Sequence, residues 1–486
     1  MKNWRVLAGI SMVLLAMAGP AFAGEPLTDT SSVTRTKGQS INAQTKYLFL
    51  DTRIIDKTRN AQLMIGDVKK HPENPLFAED KPWESRFDNL YANVIYDEQE
   101  EIYKCWYSPF LIDLSAKGMT PEQRAKLYKV PSNRESGVCY ATSLDGITWE
   151  KPALGIVEFD GSKQNNIVWR ERSRIWGHGA GIFKDPADLD PARRYKALFK
   201  GDVMSVGTSA DGIHWDKVTP YAEMNAAGDT HNNAFWAPTL SKYVGITRTH
   251  GDLGRQVARI ESEDFVQWST AEFVLEGLSK ELQAYAMPTF YYEGLYLGLL
   301  AIHDQVSDRV WTELTWSPDT VEWNRVCPGS PLIANSEEEM AYDWGCVYAA
   351  SGPVILDDEI RLYYGSSDGK HYGWRNGFFN LATLRPDGFA GYESIDIEDV
   401  AIISTKPLIF NGNDLRITVD MLRDWSSAKV NVQDEQGNKI LASEIIRETV
   451  TGGFVRWKDD VDLQGKRVRL EFIIDGAKLY SFSFAT

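Results

Sequence analysis

Five spaced copies of one short turn phrase constrain this chain more than anything else in it. The phrase is serine, any residue, aspartate and usually glycine, with tryptophan four positions after the aspartate. It occurs as Ser143-Leu144-Asp145-Gly146-Ile147-Thr148-Trp149 and as Ser209-Ala210-Asp211-Gly212-Ile213-His214-Trp215. Looser copies run from Ser262 through Asp264 to Trp268 and from Ser317 through Asp319 to Trp323. A worn fifth is Pro386-Asp387-Gly388-Phe389, with Tyr392 in place of the tryptophan one position late. Aspartates 145, 211, 264, 319 and 387 stand 66, 53, 55 and 68 residues apart, the period of one four-stranded unit with its connections. An alternating strand enters each phrase and an aromatic strand leaves it, and Asp-Gly between two such runs is a strong hairpin signal. The expected fold is all-β: a five-bladed β-propeller over 47–395, whose radial closure leaves only short edges.

Past about Asp396 the phrase stops, while period-two alternation continues through Leu415-Ile417-Val419, Val430-Val432 and Val468-Leu470-Phe472. This predicts a C-terminal β-sandwich over 396–486. At the other end, Lys2 and Arg5 precede an apolar run from Val6 to Ala18 and the small-residue site Ala21-Phe22-Ala23. That is the layout of a signal peptide over 1–23 and implies a secreted or periplasmic protein. Residues 24–46 are polar and read as an extended segment. The strand from Lys46 to Ile55 could close the ring against the last blade or pack outside it.

Loss of the leader takes the net charge from −16 to −18, because Lys2 and Arg5 leave with it. So acidic a surface argues against nucleic acid as a partner, and no run after the leader is long enough for membrane insertion. The four cysteines, Cys105, Cys139, Cys327 and Cys346, lack close metal spacing. They read equally as the pairs 105–139 or 327–346 and as buried thiols. The 16 tryptophans suit packing between blades and stacking on sugars alike.

In an antiparallel four-stranded blade, the turns from first to second strand and from third to fourth share one face. The repeat aspartates therefore lie with the short turns, at a structural face. The long connections fall on the opposite face, where loops on a rigid scaffold carry function. Five of the seven histidines, His178, His231, His250, His303 and His371, map there. Glycosidic cleavage needs one protonated and one ionised carboxyl. Asp88, Asp229, Glu281 and Asp343 each precede an inner strand, and Asp229 and Asp343 stand out for their polar company. Asp88, Asp229 and Asp343 are the catalytic candidates. His178, His231, Asn232, Arg248, Arg255, His303, His371 and Arg375 are the candidates for binding substrate. Arg172 and Arg174 join the arginines, which could hold a uronate or sulfate or else pair with nearby carboxylates. No cofactor is expected; two or three of the histidines with an aspartate could instead hold a structural metal ion on the propeller axis.

With five such hairpins and a trailing sandwich, the chain resembles the propeller glycosidases of glycoside hydrolase families 32 and 43. The architecture is most similar to family 32, which joins a five-bladed catalytic domain to a β-sandwich. It looks closest to secreted bacterial family-32-like proteins. The residues that carry this are Asp88-Asn89-Leu90-Tyr91-Ala92-Asn93-Val94-Ile95-Tyr96-Asp97, Arg194-Tyr195-Lys196-Ala197 and Asp229-Thr230-His231-Asn232-Asn233. The resemblance implies three acidic residues from the inner strands of early blades, of which Asp88 matches the first by position. Lys184-Asp185-Pro186 looks like the Arg-Asp-Pro element of invertases, but the strand order puts it on the other face. The Trp-Met-Asn-Asp-Pro type of signature is missing. The second and third roles fall to Asp229 and Asp343.

The reading that results is an exported glycoside hydrolase acting on an oligo- or polysaccharide, exo in mode, with paired carboxylates. The alternatives are a carbohydrate-binding propeller without catalysis and a phosphorylase or polysaccharide lyase on the same scaffold.

Overall fold

The computed structural model describes residues 46–171, 176–215 and 217–485. The leader 1–23, all of 24–46 but Lys46, and Arg172 and Arg174 lie outside them. The chain is nearly all β; the one α-helix among the described residues is the single turn Pro121–Arg124. Among the described residues no helix is long and apolar enough to cross a membrane.

The first repeat forms an antiparallel sheet of Asn93–Asp97, Ile102–Tyr107, Glu135–Ser143 and Ile167–Arg170. The second uses Gly181–Lys184, Tyr195–Lys200, Met204–Ser209 and Lys217–Pro220, and the third Asn233–Ala237, Lys242–Gly251, Gly254–Ser262 and Glu272–Glu276. In the fourth, Leu282–Ala286 and Thr289–Tyr292 both pair with Leu295–Asp304, which is followed by Arg309–Ser317 and Asn324–Val326. The fifth is built on Cys346–Ala349, Ile360–Ser367 and Gly377–Leu384, and the bridge Val310↔Cys346 joins it to the fourth. Its outermost partners come from far upstream: Lys69–Lys70 and Phe77–Ala78 pair with Gly377–Leu384.

Hydrogen bonds pass from sheet to sheet at the inner strands. The Asn93 side chain accepts from the Ile182 amide and donates to the Ala180 carbonyl, tying first to second. The Asn232 amide donates to Gly179, and the Asn233 side chain accepts from the Thr289 amide. The Ser351 amide returns to the Ala92 carbonyl. Sequence-distant sheets are thus linked through backbone groups that would otherwise lack partners at strand starts.

The turn phrase has one geometry in its first four copies. In the first, the Asp145 carboxylate accepts from the amides of Ile147 and Thr148, and the Gly146 amide donates to the Ser143 hydroxyl. The same bonds recur around Asp211, Asp264 and Asp319. These aspartates are turn formers, which is why serine and aspartate recur two apart. Asp185 lies on this side as well, buried against Lys196 and Tyr243.

The remaining strands make two six-stranded sheets that share one apolar core. One contains Asp414–Met421, Val450–Phe454 and Ala477–Ala485; the other contains Ala401–Thr405, Ser427–Gln433, Lys439–Ala442 and Arg467–Asp475. Val468, Leu470, Phe472 and Ile474 point inward on alternate positions. Both sheets also recruit the chain's start: Lys46–Leu48 pairs with Ala477–Ala485, Ile55–Arg59 with Ala401–Thr405, and Ala61–Ile65 with Ala390–Ser394. The strand beginning at Lys46 therefore lies outside the repeats, and the expected boundaries at 47 and 395 cut through these sheets. Phe49, fully buried between Phe472 and Phe482, gives the reason: its ring completes the C-terminal core.

The four cysteines are free thiols. Cys105 faces Ala141 and Cys139 faces Tyr107, so these two sit on neighbouring strands two positions out of register.

Candidate functional site

The loops ahead of the first strands, and those between second and third strands, bring all five repeats to one cluster. The segment 86–91, entering the first sheet, is its centre. Asp88, Leu90 and Tyr91 all take left-handed φ values of +55°, +62° and +45°. Such backbone costs free energy at non-glycine residues and persists where surrounding contacts fix it, often at functional sites. Here the fixing contacts are visible. Asp88 accepts from Arg375 Nη2 at 2.5 Å and Arg86 Nε at 3.2 Å, and its other oxygen lies 3.8 Å from His178 Nε2. Asn89 donates to the Tyr91 and Tyr285 hydroxyls and accepts from Arg375. Burial opposes ionisation of Asp88, yet Arg375 and Arg86 outweigh it and hold the carboxyl well below the usual carboxylate range.

His178, between first and second sheets, stacks on Phe110 with ring centroids 4.7 Å apart and meets Tyr91 edge-on. Burial lowers its pKa, so the ring is neutral near pH 7. Gly179 takes φ +72° and leaves no room for a Cβ, which would lie 1.9 Å from the Thr230 carbonyl oxygen. That close approach lets His178 and His231 share the space beneath Tyr91.

From the third repeat, Arg248 donates twice to the Tyr285 carbonyl and lays its guanidinium 4.3 Å over that ring. Arg255 approaches the same ring at 5.2 Å and donates to Gln283 and the Tyr372 hydroxyl. Asp229 lies 3.6 Å from Arg248 with its side chain 80% exposed, a carboxylate turned to water at the cluster's rim. The field of Asp229 reaches His178, Tyr91 and Tyr285, and that of Asp88 reaches His178, Tyr285 and His371. The fourth and fifth repeats complete the group: His371 Nε2 sits 2.8 Å from the Tyr285 hydroxyl, and His303 lies against His371 with centroids 4.4 Å apart.

Asp88, Asp229, His178, His231, Arg248, Arg255, His303, His371 and Arg375 thus meet around Tyr91, Tyr285 and Tyr348. Four expected residues have other occupations. Asp343 is fully buried and bound to Lys70 at 2.6 Å, to Tyr364 at 3.1 Å and to Ser336; none of these partners belongs to the cluster. The Asn232 side chain donates to Gly179, Gly228 and Thr230 carbonyls and accepts from Thr247, which uses its hydrogen-bonding capacity internally. Glu281 caps a surface turn through Ser279. His231 is committed to the scaffold too, since its Nε2 donates to the Asn93 side-chain oxygen that also holds Ile182. Arg248, Arg255 and Arg375 pair with local carboxylates, carbonyls and side-chain oxygens.

Sequence reading missed Tyr91, Tyr285, Arg86 and Asn89. Aligning the repeats on their first strands carries the signal, because Tyr91, His178 and His231 each stand a short step ahead of such a strand, and Tyr285, within Leu282–Ala286, stands a short step ahead of Thr289–Tyr292.

No protein-family model and no curated protein matches the chain. Among solved structures, it is similar to an N-acetylgalactosamine deacetylase from F. plautii in complex with blood group B trisaccharide, at 15% identity and a TM-score of 0.42 over 65% of this chain and 95% of that one. A glycosyl hydrolase from Bacteroides ovatus gives 15% identity and 0.44 over 66% and 95%. The α-L-arabinofuranosidase from Podospora anserina in complex with cellotriose gives 12% and 0.43 over 65% and 97%. Likeness at this level says nothing of the reaction.

Proposed function

We propose that this chain is an exported glycoside hydrolase that shortens an oligo- or polysaccharide from one end. The five repeat sheets are read as blades of a β-propeller and the two C-terminal sheets as a sandwich; the inner-strand hydrogen bonds that return to Ala92 support closure of the ring. One observation carries the functional reading: loops of all five repeats meet where an ionised, clamped carboxylate and an exposed carboxylate stand in one cluster built on Tyr91, Tyr285 and Tyr348.

Asp88 cannot lend a proton near neutral pH. Its part is to stay negative opposite the positive charge that develops on the sugar ring, as nucleophile or electrostatic partner. Asp229, reachable from water, is assigned the proton transfer to the leaving oxygen. Tyr91 and Tyr285 are buried and position the histidines and arginines packed on their rings, and Arg248 and Arg255 favour a substrate bearing uronate or sulfate. Asp343, engaged with Lys70, has no role in this scheme.

The clamp on Asp88 favours one second reading, a sugar-binding module without catalysis, because two guanidiniums weaken a carboxylate as nucleophile. A panel of neutral and acidic oligosaccharides separates them. New reducing ends that disappear in Asp229→Asn and Asp88→Asn support hydrolysis. Binding by calorimetry with no product from any member establishes the module. A product absorbing in the ultraviolet, or one formed only with phosphate, replaces hydrolysis by elimination or phosphorolysis.

A further inference from the structure

We propose that His303, Asp308 and His371 form a binding site for one divalent cation of the zinc type. One donor atom from each residue lies within 4.8 Å of the other two. His303 stands one residue before the end of the strand Leu295–Asp304, Asp308 lies in the turn just before the return strand Arg309–Ser317, and His371 comes from the loop 368–376 of the fifth repeat. That loop is fastened to the hairpin at this point. The His371 amide donates to the Asp308 carbonyl, and the Tyr372 amide donates to Asp308 Oδ2, both at 2.9 Å.

Each histidine is oriented through one ring nitrogen and presents the other. His371 Nε2 is held by the Tyr285 hydroxyl at 2.8 Å, while its buried Nδ1 has no hydrogen-bond partner among the described residues. His303 Nδ1 is held by the Gln305 side-chain amide at 2.8 Å, while Nε2 lies 3.0 Å from Asp308 Oδ1. A separation of that size suits two ligands side by side on one ion. Gln305 needs only to turn its amide so that Oε1 accepts from Nδ1–H, which leaves the Nε2 lone pair for the ion; an amide's orientation is set by such networks. A metal-bound imidazole is ordinarily fixed in this manner by a hydrogen bond at its second nitrogen.

Two nitrogens and one carboxylate select zinc, cobalt or nickel over calcium and magnesium, which prefer oxygen throughout. Three protein ligands leave a position open, as at zinc sites that meet small molecules. Tyr285 joins this site to Asn89 and so to Asp88, but the inference does not require that the chain be a hydrolase.

The test uses the full chain stripped with a chelator and titrated with Zn2+ by calorimetry, with Co2+ as a visible-absorption probe. One equivalent of Zn2+ is expected, with Ca2+ giving no comparable signal. His371→Gln and Asp308→Asn should weaken Zn2+ by at least ~100-fold, and Gln305→Ala by about 10–100-fold through loss of the orienting bond. Should His371→Gln unfold, the half-buried Gln305→Ala decides. Zn2+ binding that is absent, or equally tight in folded His371→Gln or Gln305→Ala, overturns the site and leaves a plain histidine–aspartate hydrogen bond. Sugar cleavage without Zn2+ binding sinks this inference alone, and Zn2+ binding without cleavage sinks only the proposed function.

Discussion

Residue by residue, the candidate carboxylates separate by what surrounds them. Asp88 is held ionised by two arginines, Asp229 faces water, and Asp343 is locked to Lys70. In sequence all three look alike: an aspartate in polar company just before an inner strand. The direction in which each side chain leaves the backbone is fixed by packing, which no local pattern encodes. Asp229→Asn should lower turnover by about 10²–10⁴-fold, the usual range for a lost acid–base group, with sugar affinity kept, as read by kinetics and calorimetry. Asp343→Asn should do the reverse, leaving kcat in place and costing about 1–3 kcal/mol in denaturant unfolding, since Lys70 is partly exposed and can rehydrate. The buried histidines set a pH dependence. Burial pushes His231 down to about 3, from an unfolded value near 6.5. Between those values the unfolded chain binds the proton and the folded chain does not. The stabilisation is therefore complete above pH 6.5 and is lost as pH falls toward 3, by an amount on the order of a few kcal/mol. Unfolding measured at pH 7, 5.5 and 4 should show this decline, and His231→Gln should make it shallower, with His178, His303 and His371 supplying the rest.

At the level of single elements, the turn phrase was the most legible part of the chain, because its bonds are local. The fourth position is left-handed in copies one to four: +75° at Gly146, +77° at Gly212, +63° at Phe265 and +69° at Thr320. Glycine is required where neighbours crowd it. A Cβ on Gly146 would sit 2.4 Å from the Tyr363 hydroxyl and 2.5 Å from Arg361, whereas Phe265 uses the space to pack against Phe183, Tyr243 and Trp268. Gly146→Ala should cost about 1–3 kcal/mol through strain and displacement, lowering Tm with no change in sugar turnover, since the turn lies away from the cluster. The short edge pieces Lys69–Lys70 and Phe77–Ala78 were not legible. Pro72 and Pro75 interrupt them, so they carry no alternation, and their strand character comes entirely from the partner Gly377–Leu384.

Across the whole molecule, the worn fifth copy of the phrase has a different task from the others. Asp387 is buried and accepts from Tyr292 of the fourth sheet, from Lys46, and from Thr418 and Ser481 of the C-terminal sheets. It joins the repeats to the sheets that follow. Asp387→Ala strands these donors and should cost about 3–5 kcal/mol, with the repeats and the C-terminal sheets no longer unfolding as one transition in calorimetry. For the same reason a chain ended at 395 should be insoluble or unfolded, because Lys46–Leu48, Ile55–Arg59 and Tyr392 would lose the strands they pair with; a soluble, cooperatively folding product of that truncation would contradict the pairing described here.

Sequence alone determined the repeat, its count, its turn chemistry and the face on which the long loops gather, since these follow from bonds within a few residues and from the parity of antiparallel strands. It also narrowed the cluster to a set of histidines, arginines and aspartates, because loop position follows from strand order. Tertiary structure alone decided which of them meet, where Asp343 and Asn232 turn instead, and that the chain's start completes the C-terminal sheets. Those outcomes depend on contacts between residues hundreds of positions apart, such as Asp88 with Arg375 and Phe49 with Phe472, whose free energy exists only once the sheets are in place.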